Sequence, residues 1–316
     1  MIMANRRKLA IALAPLVLAA CGGGGGGSNV RPTVYTPITG TTTSANLFGL
    51  SSNFIADVNI SGNPSGTPTL SARTGTVQGS ATFDSSGTPT VVNLDVAITS
   101  GPTFQQSFSG LTSATLAGAT NGTSNAVLWG STIVASDVRN VLIMDPASIG
   151  LSYSTLGEWG FKTAPSDTAF HAGNFIIGVR TSPGDIPSSG TATYNGVMVG
   201  TLSRQAVDIY KVGAQATATA NFSPGSATVL FSTTNTRLTS LTNATVVNPS
   251  TVYDLSGTLT YAAINNLTST SFGSNSGMTG SANARFFGPA ARELGGTFFI
   301  SNGSSEQMSG AFALKR

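Results

Sequence analysis

The chain has little charge and few side chains that could carry out chemistry. Only 9% of its 316 residues are charged, and it contains one cysteine and one histidine. An internal disulfide is therefore impossible, and a zinc site built from several histidines and cysteines is excluded. A catalytic triad would have to use His171, but no strand–elbow–helix pattern offers a nucleophile. No spacing singles out a pair among the 12 acids, so we expect no enzyme activity and no cofactor.

The formal net charge of +3 does not indicate a polyanion-binding protein. Three of the 15 basic residues, Arg6, Arg7 and Lys8, lie in the first twenty residues, which contain no acid. Without this segment, the remaining basic residues balance the 12 acidic ones. Nucleic-acid binding requires clustered lysine and arginine, and no such cluster is present. We therefore expect no nucleic-acid partner.

Long helical patterns are also lacking. The chain has 38 glycines, and Ser, Thr, Asn and Ala fill much of the remainder between alternating hydrophobic residues. Alternation with a period of two is typical of half-buried strands, and frequent Gly, Asn and Pro mark the turns between them. The composition predicts an all-β fold.

The N-terminus has the pattern of a targeting segment. Arg6, Arg7 and Lys8 form a basic region before an apolar run that is too short to span a bilayer. The run ends in Leu-Ala-Ala-Cys at residues 18–21, which resembles a bacterial lipoprotein lipobox with Cys21 as the lipid attachment site. We predict a signal peptide at 1–20 and a flexible Gly/Ser/Thr/Pro tether at 21–44.

The rest of the chain predicts two β domains. Residues 45–180 carry short strand patterns separated by turn residues, which indicate an antiparallel sheet. A Pro-, Ser- and Gly-rich segment follows, and residues 181–316 then carry about eight strand patterns. Eight antiparallel strands can close into a barrel whose interior is filled by side chains. Five alanines suit a narrow interior: Ala216, Ala218, Ala220, Ala282 and Ala284.

The most informative stretch is 281–300. Ala282, Ala284 and Phe286 alternate with polar residues, Gly288-Pro289 ends this strand, and glycines at 295 and 296 begin a return strand. Its core, Phe-Phe-Gly-Pro-Ala-Ala-Arg-Glu-Leu-Gly-Gly-Thr-Phe, resembles the closing hairpin of the β-barrel in transferrin-binding protein B-like surface lipoproteins. The final Met-Ser-Gly-Ala-Phe-Ala-Leu-Lys-Arg resembles the last strand of that barrel, and the likeness extends over about 150–316.

This resemblance implies a handle-like N-terminal sheet domain, an eight-stranded barrel and a non-catalytic role in binding. Members of the family capture an iron-loaded host protein with surface loops and pass it to a membrane transporter. We expect a lipid-anchored, surface-exposed protein of the outer membrane whose partner is an iron- or haem-binding protein or a related solute, with an outer-membrane transporter as a further partner. Two alternatives stay open: a lipocalin-like carrier of a small apolar ligand, and a structural surface lipoprotein without a soluble ligand.

Two segments are interpreted as long surface loops, 233–250 and 262–277, because both are rich in Asn, Ser and Thr. Loops on a rigid sheet commonly carry binding residues. The candidate binding residues within them are Arg237, Leu238, Leu241, Val246, Val247 and Leu267. His171 is a candidate haem ligand in what looks like a loop before a strand, although a solvated loop histidine is the simpler interpretation.

Replacement of Cys21 tests the predicted anchor. The Cys21→Ser variant should lose lipidation, because the thiol is the acceptor for the acyl-bearing group, and several acyl chains are what hold such a protein firmly on a membrane. Metabolic labelling with a clickable fatty acid should give label on the wild type and none on the variant. Equal label on both would contradict the prediction.

Overall fold

Strands dominate the structure, as the alternating sequence predicts. The computed structural model describes residues 35, 37–38, 48–51, 55–59, 69–73, 75–84, 88–98, 103–120, 123–134, 137–162, 169–204, 208–240, 246–247, 250–263, 265–303 and 305–316. Cys21, the predicted signal peptide and most of the predicted tether lie outside these residues. None of the helical segments among them is long and apolar enough to cross a membrane.

The N-terminal half of the described chain contains eleven strands and one 3-10 turn, Ala147–Ile149. The strands are β1 (Phe48–Ser51), β2 (Ile55–Asn59), β3 (Thr69–Arg73), β4 (Gly75–Phe83), β5 (Pro89–Ile98), β6 (Thr103–Ser109), β7 (Thr112–Thr120), β8 (Thr123–Val134), β9 (Asp137–Met144), β10 (Ser154–Lys162) and β11 (Ala169–Gly178).

The C-terminal half contains nine strands and three 3-10 turns. The turns are Pro183–Asp185, Thr251–Tyr253 and Pro289–Ala291. The strands are β12 (Gly190–Arg204), β13 (Asp208–Ser223), β14 (Ser226–Ser240), β15 (Val246–Val247), β16 (Leu255–Ala263), β17 (Asn266–Ser274), β18 (Thr279–Phe287), β19 (Glu293–Ser301) and β20 (Glu306–Lys315).

Eight of these strands close into an antiparallel barrel, which confirms the predicted fold class. The order is β13-β12-β20-β19-β18-β17-β16-β14, and β14 pairs with β13 to complete the ring. The short β15 pairs with β14 outside this ring. The predicted hairpin is formed by β18 and β19, with Ser281 opposite Phe299.

Small and aromatic side chains fill the barrel interior. The five alanines predicted to face inward are all buried, and aromatic rings pack among them. The ring of Phe231 lies 4.5 Å from that of Phe312 and 5.3 Å from that of Phe272, centroid to centroid. Phe298 and Phe286 extend this aromatic core along the barrel. An interior occupied in this way opposes the lipocalin-like alternative, which needs a cavity for an apolar ligand.

Two further sheets precede the barrel in the chain. The larger has the order β3-β2-β11-β10-β9-β8-β7, with β1 also on β11, and the smaller has the order β4-β5-β6. Because side chains alternate along β11, Phe175 and Ile177 pack with the smaller sheet, while Ile176 faces the opposite way. The larger sheet therefore has two buried faces.

The second face of the larger sheet packs on the outer wall of the barrel. Leu156 and Ile176 of the sheet form one apolar cluster with Val199, Phe287 and Ala313 of the barrel. We call this contact the junction. By their internal contacts Tyr35–Arg316 form one compact unit, and the predicted boundary between residues 180 and 181 falls in the connection that crosses the junction.

A buried carboxylate lies at the centre of the junction. Glu293, at the start of β19, is only 1% exposed. It accepts hydrogen bonds from the backbone N–H of Ser152 (2.5 Å) and Tyr153 (3.0 Å) and from the hydroxyl of Ser154 (2.7 Å). These partners belong to the segment that leads into β10.

The structure explains the residues of the Phe-Phe-Gly-Pro motif, which also lies at the junction. Phe286 points into the barrel core, and Phe287, the next residue, points into the junction. Gly288 has a φ of 72°, and a Cβ there would lie 2.5 Å from the ring of Tyr153. Glycine is therefore required both by the backbone conformation and by the close approach of the tyrosine. The motif joins the barrel to the larger sheet.

Removal of the Glu293 carboxylate should destabilise the protein strongly. In Glu293→Leu the two amides and the hydroxyl lose their acceptor inside the junction, and each unsatisfied buried donor costs about 1–3 kcal/mol. Glu293→Gln keeps one acceptor oxygen and should lose much less. Urea denaturation would give the free energy of unfolding of both variants. Asp95→Asn, at an exposed carboxylate, serves as the control. Equal losses of unfolding free energy in Glu293→Leu and Glu293→Gln would contradict the role assigned to the carboxylate.

The same carboxylate should give the protein a defined pH dependence. Burial raises the pKa of Glu293 above its ordinary value of 4.5, although its hydrogen bonds oppose the shift. The native state therefore binds a proton more readily than the unfolded state. This contribution to stability increases as pH falls from the raised pKa towards 4.5, and is lost as pH rises. Stability measured from neutral pH to pH 4.5 should show this gain in the wild type but not in Glu293→Gln.

Candidate binding surface

The two ends of the barrel differ in what they contact. One end, which we call the junction end, carries the β13–β14, β16–β17 and β18–β19 connections and receives the chain from β11. Tyr35, the first described residue, donates a hydrogen bond to Asp185 (2.6 Å) and accepts one from the backbone of Ser182 (2.7 Å) near this end. The distal end carries the β12–β13, β14–β16, β17–β18 and β19–β20 connections.

A hydrogen-bonded frame fixes the distal end. One oxygen of Asp254 accepts from both the backbone N–H (3.1 Å) and the hydroxyl (2.6 Å) of Thr236 on β14. Asn275, in the β17–β18 turn, donates its side-chain amide to the carbonyl of Thr251 (2.7 Å) and its backbone N–H to that of Asp254 (3.1 Å). The 3-10 turn Thr251–Tyr253 is thus held from two sides.

A polar cluster extends this frame to β20 and β12. The Tyr253 hydroxyl donates to Glu306 (2.8 Å), and Arg204 forms an ion pair with the same carboxylate oxygen (3.2 Å). Burial raises the pKa of Tyr253 to about 12, and the hydrogen bond to Glu306 and its negative charge add to the shift. The phenol therefore remains a hydrogen-bond donor over the whole physiological pH range.

Two valines are exposed in the β14–β16 connection at the distal end, and one of them, Val252, lies within this frame. Val252, in the middle of the 3-10 turn, is 49% exposed, and Val246, on β15, is 48% exposed. Their apolar side chains at a fixed, hydrogen-bonded surface are able to act as anchors for a protein partner. Sequence reasoning selected Val246 but did not identify Val252. The threonine–valine–tyrosine run gives no local sign of a turn.

The structure corrects the expected long loops. Residues 233–240 are the end of β14, and residues 266–274 are β17. Leu238 (3% exposed) and Leu267 (0%) therefore point into the barrel core and are not available to a partner. Polar residues alternate with these leucines, so that a strand pattern was mistaken for a loop. Val247 lies on β15 opposite Leu238, and Leu241 lies outside the described residues.

Arg237 lies on the outer face of β14, next to the buried Leu238. Its backbone is opposite Gly213 of β13, just before a register shift in that pairing. The side chain is partly buried, and its Nε is buried without a hydrogen-bond partner. Arg237 is thus on the barrel wall and not in a mobile loop, and its predicted role in binding stays a prediction.

His171 lies within a strand, which corrects the expected loop position. It belongs to β11, with Phe161 of β10 and Asp57 of β2 as its neighbours across the sheet. A role as haem ligand stays a prediction. Within the part of the chain that the structure describes, no group of three His, Cys, Asp or Glu side chains could hold a metal ion.

An open pocket of about 210 Å³ lies at the junction end of the barrel. Its lining includes Pro183, Ile186, Ser223 and Tyr261. The volume is below the roughly 300–1,000 Å³ of typical small-molecule sites. The pocket therefore gives little support to the predicted carrier of a small apolar ligand.

One family comparison supports the sequence-based resemblance. Residues 186–316 match the protein family described as the C-lobe and N-lobe β-barrels of Tf-binding protein B. The match covers the closed barrel and begins just before β12. The chain thus carries a transferrin-binding protein B-like barrel, as predicted. No curated protein sequence matches the chain.

Solved structures of transferrin-binding protein B are also similar. A double mutant from Haemophilus parasuis Hp5 is 13% identical, with a TM-score of 0.43 and coverage of 79% of this chain and 62% of that one. The isotype 1 protein from serogroup B Neisseria meningitidis is 14% identical, with a TM-score of 0.37 and coverage of 76% and 51%. The chain thus spans less than two thirds of the length of these structures.

The Tyr253–Glu306 hydrogen bond can be tested by absorbance. At about pH 11 a solvent-exposed tyrosine is mostly ionised, whereas Tyr253 should still be protonated. The phenolate absorbance of the wild type and of Tyr253→Phe should therefore be nearly equal at this pH. In the Glu306→Gln background, Tyr253→Phe should remove a larger signal, because the negative charge that adds to the effect of burial is gone while the pKa-lowering charge of Arg204 remains. If Tyr253→Phe changed the phenolate absorbance equally in the wild-type and Glu306→Gln backgrounds, the assigned Tyr253–Glu306 hydrogen bond would be contradicted.

Proposed function

We propose, from the transferrin-binding protein B-like barrel of residues 186–316, that the protein is a non-catalytic surface lipoprotein of the outer membrane that binds an iron- or haem-carrying protein. The name of the matched family supports the class of partner, since those barrels belong to proteins that bind transferrin. The lipobox-like residues 18–21 support the anchor at Cys21. An outer-membrane transporter that accepts the iron or haem is a further partner in this proposal.

The distal end of the barrel is the proposed binding surface. The observation that carries this assignment is the exposed Val252 on a frame fixed by Asp254 and Tyr253, with Val246 also exposed in the same β14–β16 connection. An anchor that is already ordered loses little conformational freedom on binding, so that more of the contact energy remains as affinity. Loops at the end of a rigid sheet structure are also common places for recognition.

Binding should depend weakly on salt. The chain without its first twenty residues is formally neutral, and the ion pair between Arg204 and Glu306 is internal to the frame. Contacts by apolar anchors are not screened by salt, in contrast to long-range charge attraction. A structural lipoprotein without a soluble ligand is the remaining alternative, and it predicts no specific binding at this end.

Replacement of the two valines tests the proposed surface. The Val246→Ser/Val252→Ser variant should weaken binding about tenfold or more, since the loss of about 1.4 kcal/mol from central anchors has this effect. Immobilised protein would be tested with iron-loaded transferrin, iron-free transferrin and haemoglobin by surface plasmon resonance. Leu230→Ser provides the matched control, because Leu230 is 59% exposed on β14 but lies away from the distal end.

Three results would distinguish the alternatives. A loss of binding in the double variant but not in Leu230→Ser supports the distal end as the binding surface. Binding that persists in the double variant contradicts this placement while leaving the partner class intact. An absence of binding by the wild type to all three probes contradicts the proposed partner class and favours the structural lipoprotein.

A further inference from the structure

The pocket of about 210 Å³ lies at the opposite end of the barrel from the proposed partner surface. The strand register explains where it forms. Gly190, the first residue of β12, is opposite Phe222 near the end of β13, and Thr228 of β14 is opposite Thr260 of β16. The segment before β12, the β13–β14 turn and the end of β16 therefore meet around one space.

Apolar and hydroxyl-bearing side chains both line this pocket. Ile186 and Tyr261 are partly buried, pack against the barrel core and form the base. Pro183, Ser223 and Ser226 stand around them. None of the described residues that line this space carries a charge. The pocket therefore suits a neutral ligand, since a charged group would lose hydration there without gaining an ionic partner.

The lining is fixed before any ligand binds. In the turn that carries Pro183, the backbone N–H of Asp185 donates to the carbonyl of Ser182 (2.9 Å). The Tyr35 hydroxyl holds this turn, because it accepts from the backbone N–H of Ser182 (2.7 Å) and donates to the Asp185 carboxylate (2.6 Å). On the other side, the tight β13–β14 turn contains Gly225 with a φ of 68°, which glycine adopts readily. A pocket ordered in this way loses little conformational freedom on binding.

Three hydroxyl groups of the lining have free hydrogen-bonding capacity. The Tyr261 oxygen accepts from the backbone N–H of Asn265 (2.9 Å), but its proton is donated to no group in the part of the chain that the structure describes. The hydroxyls of Ser223 and Ser226 likewise form no hydrogen bond with any described residue, and both serines are at least partly exposed. Water satisfies these groups in the free protein, so they are available to the hydroxyl groups of a ligand.

The size of the pocket restricts the ligand to about one ring. A dry protein cavity of about 150 Å³ holds benzene, so a pocket of about 210 Å³ accommodates a six-membered ring with hydroxyl substituents. A pyranose sugar matches both parts of the lining. The C–H face of its ring is weakly positive and packs on the negatively polarised face of a tyrosine, while its edge carries hydroxyl groups.

We propose that this pocket binds the terminal pyranose of a neutral glycan. The C–H face of the sugar packs on Tyr261 and Ile186, and its hydroxyl groups bond to the Tyr261 hydroxyl and to the serines of the β13–β14 turn. Because the barrel core closes the base, the sugar enters end-on, so that a terminal residue binds and an internal residue of a linear chain does not. The site is independent of the partner surface at the distal end.

Ligand-detected NMR tests the site with defined sugars. Saturation-transfer difference spectra would be recorded on the full chain with Cys21→Ser, which should lack the acyl anchor. The probes are the methyl glycosides of glucose, galactose, mannose and N-acetylglucosamine. At least one should receive saturation, strongest at the protons of one ring face, with a dissociation constant of about 1–10 mM, as expected for so small a ligand.

Variants of the lining assign the signal to this pocket. Tyr261→Leu keeps an apolar base but removes the aromatic face and the hydroxyl, so it should weaken binding at least tenfold. Ser226→Ala should weaken binding about threefold, the loss expected for one hydrogen bond. Ser232→Ala, at an exposed serine further along β14 and outside the pocket, is the matched control and should bind like the wild type. Ser226→Ala leaves the core unchanged, so it tests the site even if Tyr261→Leu does not fold.

Two results would overturn the proposal. One is the absence of saturation transfer to all four glycosides, and the other is equal binding by the wild type, Tyr261→Leu and Ser226→Ala. A proline-rich peptide is the alternative occupant, because aromatic-lined grooves also bind extended Pro-rich segments. Binding of decaproline without binding of any glycoside would therefore contradict the assignment to a sugar.

A second arm identifies the source of the sugar. Outer-membrane vesicles from the cells that express the protein, and serum albumin coupled to the best-bound glycoside, would each be incubated with the Cys21→Ser protein. Binding to the vesicles that the free glycoside displaces and that Tyr261→Leu lacks supports the site and assigns the sugar to a cell-surface polysaccharide. Binding to the conjugate alone, with the same two controls, supports the site and assigns the sugar to a glycan on a partner protein. The absence of both contradicts the proposal.

Discussion

The buried carboxylate of Glu293 links the barrel to the sheet that precedes it in the chain. Its oxygens accept N–H and O–H groups from 152–154, where the chain enters β10, while Phe287 and Gly288 pack beside it. An ionised carboxylate in an apolar setting is stabilised only by such a set of donors. The junction therefore depends on a polar contact at its centre as well as on apolar packing around it.

Carboxylates also accept hydrogen bonds that fix the chain at the distal end. Carboxylates of Asp254 and Glu306 accept hydrogen bonds from Thr236 and Tyr253, and thereby hold a short turn at the mouth of a barrel whose interior is filled by aromatic rings. A filled interior and fixed ends leave the outer surfaces for recognition.

Local pattern was sufficient to predict the strands and the inward-facing alanines, because alternation is a property of neighbouring residues. It was insufficient for Leu238 and Leu267, whose polar neighbours suggested loops although both side chains are buried. The partners of Glu293 lie about 140 residues earlier in the chain, so no local pattern indicates them. The pairing of Arg180 with Phe287 is likewise a long-range bridge that no local motif indicates.

Hydrogen exchange at the junction tests most directly whether sheet and barrel form one cooperative unit. The Tyr153 amide is hydrogen-bonded to both oxygens of Glu293, so it is protected only while that carboxylate is docked. Its exchange would be compared with that of barrel amides in β19 and β20. We predict opening free energies for Tyr153 close to those of the barrel strands. Rapid exchange at Tyr153 beside a fully protected barrel would contradict the account.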